Sequence, residues 1–163
     1  MTILHLFLVL SLMIVPMCLY RCSKSYMLMF YIRMTRSCYF RKLYALILLL
    51  VILMFHFTYF AINNLEYGMM LSTVVLIYLF SPKRTEGLLS GIRGNKSITA
   101  LLFTMALASC FIPHLYTLGG TLAYILLASL FYPSVKMAEY KTTSLPSLYD
   151  ETDIKMLVKD YYI

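Results

Sequence analysis

The sequence predicts an all-α integral membrane protein, a small polytopic helical bundle of about five transmembrane helices with its N-terminus outside and its C-terminus inside. Three observations carry that prediction. The 163 residues are 61% hydrophobic and 13% charged, about half the charge of a soluble domain, so too little polar surface exists to cover a globule. The apolar residues fall in long uncharged runs, and residues 97–135, without Asp, Glu, Lys or Arg, are about twice as long as one crossing requires. All fourteen Lys and Arg residues can be placed in one compartment, and cationic loops mark the cytoplasmic side of a polytopic protein.

Residues 1–20 read as transmembrane helix 1. The first cation, Arg21, follows the apolar run, the reverse of a signal peptide's polarity, which suits a retained span with its N-terminus outside. Residues 21–42 read as a basic, aromatic cytoplasmic or interfacial segment. They combine Arg21, Lys24, Arg33, Arg36, Arg41 and Lys42 with rings such as Tyr26, Phe30 and Tyr31. Rings at headgroup depth with cations reaching toward phosphate suit such a segment, with Arg33, Arg36, Arg41 and Lys42 as headgroup contacts. The plainer alternative is an ordinary connector.

Residues 43–62 form the clearest span, helix 2, twenty residues without a charge. Residues 65–81 read as helix 3, short enough to need a thinned bilayer. Residues 82–97 read as a basic cytoplasmic loop holding Lys83, Arg84, Arg93 and Lys96, with Gly87, Gly91 and Gly94 as flexible punctuation. Residues 98–132 read as a transmembrane hairpin, helices 4 and 5, broken by Pro113 and by Gly119-Gly120. Residues 133–163 read as a cytoplasmic tail. In it Ile154, Leu157, Val158 and Tyr161 fall on one face of a short amphipathic helix. Its acid-rich first turn favours a protein partner over an anionic lipid surface.

The cations divide as six in 21–42, four in 82–97 and four in the tail (Lys136, Lys141, Lys155 and Lys159), which leaves Glu66 alone charged outside. Translation from Met34, ahead of Thr35-Arg36-Ser37, would give four spans and leave the charge segregation unchanged.

Few residues suggest chemistry. Of the four cysteines, Cys18, Cys22, Cys38 and Cys110, the pair Cys18 and Cys22 has no His or acidic partner nearby for a zinc site; Cys22 and Cys38 are juxtamembrane, as lipidated thiols are, or simply apolar filler. His56 is the one strongly polar titratable group in the middle of a span, hence a possible intramembrane polar site. A haem would need a second His at similar depth, and His114 sits in the outer turn. A neutral His56 bonded to Tyr, Thr or a carbonyl is the simpler reading. Ala100, Thr104 and Ala108 repeat every four residues, as do Gly119 and Ala123. Such spacing suits close helix packing, within the last hairpin or against a partner helix.

No GxxxxGKS/T, HExxH or GxSxG pattern occurs, no catalytic residue, metal or cofactor is expected, and the basic charge finds no soluble module that would present it to nucleic acid. The expected partners are the lipid bilayer and another membrane protein or complex. The expected function is non-enzymatic: an accessory or assembly subunit, or a blocker of the immunity or exclusion type. The alternative is a small transporter, channel or haem/quinone anchor using His56. A bacterial inner membrane is the expected location, with the mitochondrial inner membrane as alternative.

Overall fold

The computed structural model describes residues 14, 18–20, 25–62 and 67–133. Among them are six helices and no strand: α1 (Ser25–Arg36), α2 (Cys38–Ile62), α3 (Tyr67–Leu79), α4 (Pro82–Gly94), α5 (Lys96–Phe111) and α6 (Tyr116–Leu130). Most of helix 1 as read from the sequence, the tail with Ile154, Leu157, Val158 and Tyr161, and Glu66 lie outside the described residues. The chain divides into two units, Met1–Ser37 with Pro133–Ile163, and Cys38–Tyr132.

In the first unit, α1 buries Met27, Tyr31, Met34 and Thr35 and exposes Tyr26, Met29, Arg33 and Arg36. The buried set falls at i, i+4, i+7 and i+8, one helical face. The segment expected as a connector is therefore a helix with an inward stripe. Its last turn carries Arg33 and Arg36, where cations suit the helix dipole. A chain begun at Met34 would lose most of α1, and with it Met27 and Tyr31.

The second unit is a bundle of α2, α3, α5 and α6, with α4 packed against all four. α6 is the central helix and touches every other member of the unit. Glycines and small residues let it do so. A Cβ on Gly119 would lie 2.9 Å from Cys110 Sγ and 3.2 Å from the Ala106 carbonyl of α5. A Cβ on Gly120 would lie 2.6 Å from the Phe55 ring of α2. The Gly119-Gly120 pair thus faces two neighbours from within a helix and does not break the hairpin as the sequence suggested. The turn is made by residues 112–115, where His114 adopts a left-handed φ of 68°.

Among the described residues one helix, over Cys38–Phe60, is long and apolar enough to cross a membrane. The other apolar helices, α3, α5 and α6, have 13, 16 and 15 residues, or about 20–24 Å against the roughly 30 Å of hydrocarbon. The all-helical class expected from the sequence is present among the described residues, with one helix of full spanning length there and three shorter apolar ones. The hairpin read from the sequence turns between residues 112 and 118, and the structure places that turn at residues 112–115.

Residues 82–97, expected as a loop, are mostly helix. Pro82 starts α4 at a position where its missing N–H costs nothing, and Thr85 Oγ1 donates back to the Leu79 carbonyl at 2.8 Å. Thr85, Leu89 and Ile92 face the bundle. Asn95 ends α4 and caps α5, accepting from Ser97 N–H. Gly87, Gly91 and Gly94 lie on the opposite, exposed face, where an added Cβ would meet nothing within 4 Å. Each weakens the helix by about 0.5–1 kcal/mol relative to Ala, and no internal contact explains them.

Helix ends pair consistently. Gly68 N–H of α3 donates to the His114 carbonyl in the α5–α6 turn at 2.8 Å. At the other end Tyr44 of α2 donates to the Ala128 carbonyl of α6 at 3.0 Å and its ring lies 6.4 Å from that of Tyr132. α4 begins where α3 finishes and finishes where α5 begins, so it closes this second end. Arg41, Lys42, Lys83, Arg84, Arg93 and Lys96, the cations of this unit, are all carried there, on α4 or at the first turns of α2 and α5.

Candidate functional site

The interior of the bundle mixes apolar side chains such as Ile52, Leu76, Leu122 and Ile125 with buried hydroxyls. Ser72, Thr117 and Thr121 are fully buried, Ser109 and Ser129 nearly so, and their neighbours are Gly68, Gly119, Ala106 and Ala128. Large apolar side chains point outward: Phe57 is 70% exposed, Met70 71% and Phe111 79%. Buried hydroxyls satisfy themselves against their own helices, as Thr121 Oγ1 does with the Leu118 carbonyl and Ser129 Oγ with that of Leu126.

His56 makes a side-chain pair between α2 and α3 in this interior. Its Nε2 lies 2.6 Å from Ser72 Oγ, which also donates to the Met69 carbonyl at 3.1 Å. Which of the two groups donates across that contact is set by the tautomer of the imidazole. Nδ1 is buried and has no partner. Thr117 Oγ1 is also buried and unpartnered, and it faces Gly68, where a Cβ would approach it to 2.6 Å. Gly68 and Ser72 are one turn apart on the same face of α3. His56 and Thr117 therefore approach one seam at successive levels. Leaving such groups unpaired costs roughly 1–3 kcal/mol each, a cost that marks the seam as the polar site of the interior.

The simpler sequence reading gave His56 a Tyr, Thr or carbonyl partner, whereas the side chain beside its Nε2 is Ser72. His114 is exposed in the turn, while His56 meets Ser72 a turn further in than the Gly68–His114 contact. The two imidazoles do not face each other. Among the described residues no cluster of three metal-ligating side chains forms.

The four-residue repeat splits into two fates. Ala100, Thr104 and Ala108 are exposed on the outer face of α5, with Thr104 Oγ1 donating to the Leu101 carbonyl at 2.8 Å. The hairpin contact uses the offset pair, Ala106 and Cys110, against Gly119. Ala123 is half-buried on α6. Of the expected headgroup contacts, Arg33, Arg36 and Lys42 are exposed and Arg41 is half-buried near Tyr132.

Sequence reasoning missed Glu86. It is the one acidic residue among those described, half-buried, with Oε1 buried and unpartnered, and its carboxylate interacts with the Tyr132 phenol. The available signal was its spacing: Glu86 sits one residue after Thr85 and three before Leu89, on the inward side of an amphipathic helix.

No family model, no curated protein and no solved structure matches this chain.

Proposed function

We propose that this chain is a small, non-enzymatic polytopic membrane protein that acts by docking on another membrane protein. The observation that supports it is the large apolar surface that the Cys38–Tyr132 unit turns outward. A core helix of a soluble protein is mostly buried, whereas the Cys38–Phe60 window is 17% buried. Its outward stripe of Leu43, Leu46, Leu50, Met54, Phe57 and Phe60 repeats on α3 and α5, an apolar surface far larger than a soluble monomer exposes. In lipid that surface costs nothing, and close contact between small residues holds the helices together. α3, α5 and α6 then lie in a bilayer thinned around the bundle, or extend their apolar length through adjoining turns. The cation-bearing end faces the cytoplasm under the positive-inside rule; the bacterial inner membrane is the proposed location.

The docking face is Ala100–Thr104–Ala108, a shallow strip between Leu101, Phe103, Met105 and Phe111. Small residues outside a bundle let a partner's backbone come close. An accessory or assembly subunit and an immunity- or exclusion-type blocker both fit this mode. The test is affinity capture from native membranes, comparing the native chain with an Ala100→Leu/Thr104→Leu/Ala108→Leu variant. Loss of a co-purifying protein with unchanged membrane insertion is expected; unchanged capture would sink the docking face.

The unpartnered Nδ1 of His56 favours a second reading, a transport or haem/quinone-anchoring role for the seam. A Soret band in the purified protein that disappears in His56→Ala, or a proteoliposome flux lost with it, would select that reading.

A further inference from the structure

We infer that the outer face of α4 binds the headgroup of an anionic phospholipid, an inference that rests on the membrane reading above. The helix sorts its charge: Glu86 turns inward to Tyr132, while Lys83 and Arg84 stay exposed. The outer face is consequently cationic, and among the described residues no acidic side chain offsets it on the same side.

Between and beyond those cations the face is bare backbone. Gly87, Gly91 and Arg84 share one stripe at i, i+3 and i+7, with Gly94 beside them, and a Cβ at any of the three glycines would meet nothing within 4 Å. Glycines that weaken a helix without serving an internal contact serve an external one. They leave a flat floor on which a headgroup reaches the backbone while Lys83 and Arg84 meet its phosphate.

Depth agrees. The Arg84 guanidinium lies 5.7 Å from the centroid of the Tyr78 ring, and Tyr78 and Phe80 are exposed at the last turn of α3. Aromatic rings at the end of an apolar stripe mark the headgroup level. The charge also discriminates among occupants. A second copy of this face would oppose cation to cation, whereas an anionic headgroup complements it.

The test uses the full chain reconstituted in phosphatidylcholine vesicles with trace spin-labelled phosphatidylglycerol or spin-labelled phosphatidylcholine. Electron paramagnetic resonance reads the motionally restricted fraction of each. The native chain is expected to retain phosphatidylglycerol preferentially, by about fivefold for each cation engaged. Lys83→Gln/Arg84→Gln should reduce that preference severalfold. Gly87→Leu/Gly91→Leu, which keeps both cations, should reduce it as well. Equal retention of both lipids by the native chain would overturn the inference. So would a preference that survives in both variants and falls instead with Arg33→Gln/Arg36→Gln. Capture by an acidic helical peptide without any headgroup preference would assign the face to a protein and overturn it too. Alkaline-carbonate extraction separates the two readings: a chain washed out of neutral vesicles defeats the membrane reading and this one together, and a retained chain without lipid preference defeats this one alone.

Discussion

The backbone N–H of Gly68 meets the carbonyl of His114 at 2.8 Å, which ties the first turn of α3 to the α5–α6 turn. The contact exists because Gly68 has no side chain: a Cβ there would lie 2.9 Å from both that carbonyl and Leu115 Cα. Both obstacles are backbone and cannot rotate away.

Gly68→Ala is therefore expected to destabilise the bundle by about 1–3 kcal/mol, the usual cost of overpacking. Gly87→Ala, on open surface, should instead stabilise it by about 0.5–1 kcal/mol. Unfolding in mixed detergent micelles followed by circular dichroism measures both. Equal effects at the two glycines would contradict the assigned contacts.

Ser72→Ala removes the one side-chain partner of His56 and leaves both ring nitrogens unpaired. A double-mutant cycle with His56→Leu should give a coupling of about 0.6–1.7 kcal/mol, the range for side-chain hydrogen bonds inside membrane bundles. A coupling indistinguishable from zero would show that the 2.6 Å contact contributes no stability.

Glu86 and Tyr132 offer a further check. Tyr132→Phe takes the phenol from the carboxylate and should cost roughly 1–3 kcal/mol. Glu86→Gln in the same background removes the buried charge, so it should recover part of the loss. If Tyr132→Phe is neutral, Glu86 is solvated and its inward placement is wrong.

Substitutions on the outward strip of α5 should behave differently from all of these. Ala100→Leu and Ala108→Leu change exposed positions and should move stability by no more than about 0.5 kcal/mol. Their effect is expected in partner capture alone. A large loss of stability would instead place these residues inside an assembly of this chain.

Orientation is tested by reporters. A fluorescent protein fused after Ile163 should fluoresce and an alkaline phosphatase fused there should be inactive, as for a cytoplasmic terminus. The opposite pair of results would remove the argument from positive charge.

Much of the helical content was legible because long uncharged runs can only be satisfied as helix. α2 begins at Cys38 and not at residue 43, since Arg41 and Lys42 continue the helix out of the apolar run. Boundaries elsewhere moved for local reasons: the second arm of the hairpin begins at Tyr116 and not at Leu118, and Asn95 separates α4 from α5. The α4 helix was not legible because three glycines within thirteen residues read as loop. Its packing against four helices outweighs their low propensity.

By itself the sequence determined which residues are helical in the long apolar runs, because that does not depend on a neighbour. The tertiary structure alone decided which side of each helix turns inward: why Ala106 and Cys110 meet Gly119 while Ala100, Thr104 and Ala108 face out, why Gly119 and Gly120 pack inside a helix, and why Glu86 faces Tyr132. A helix apolar around its whole circumference carries no periodic mark of its inner face, so only shape, small residue against large ring and bare backbone against carbonyl, selects it.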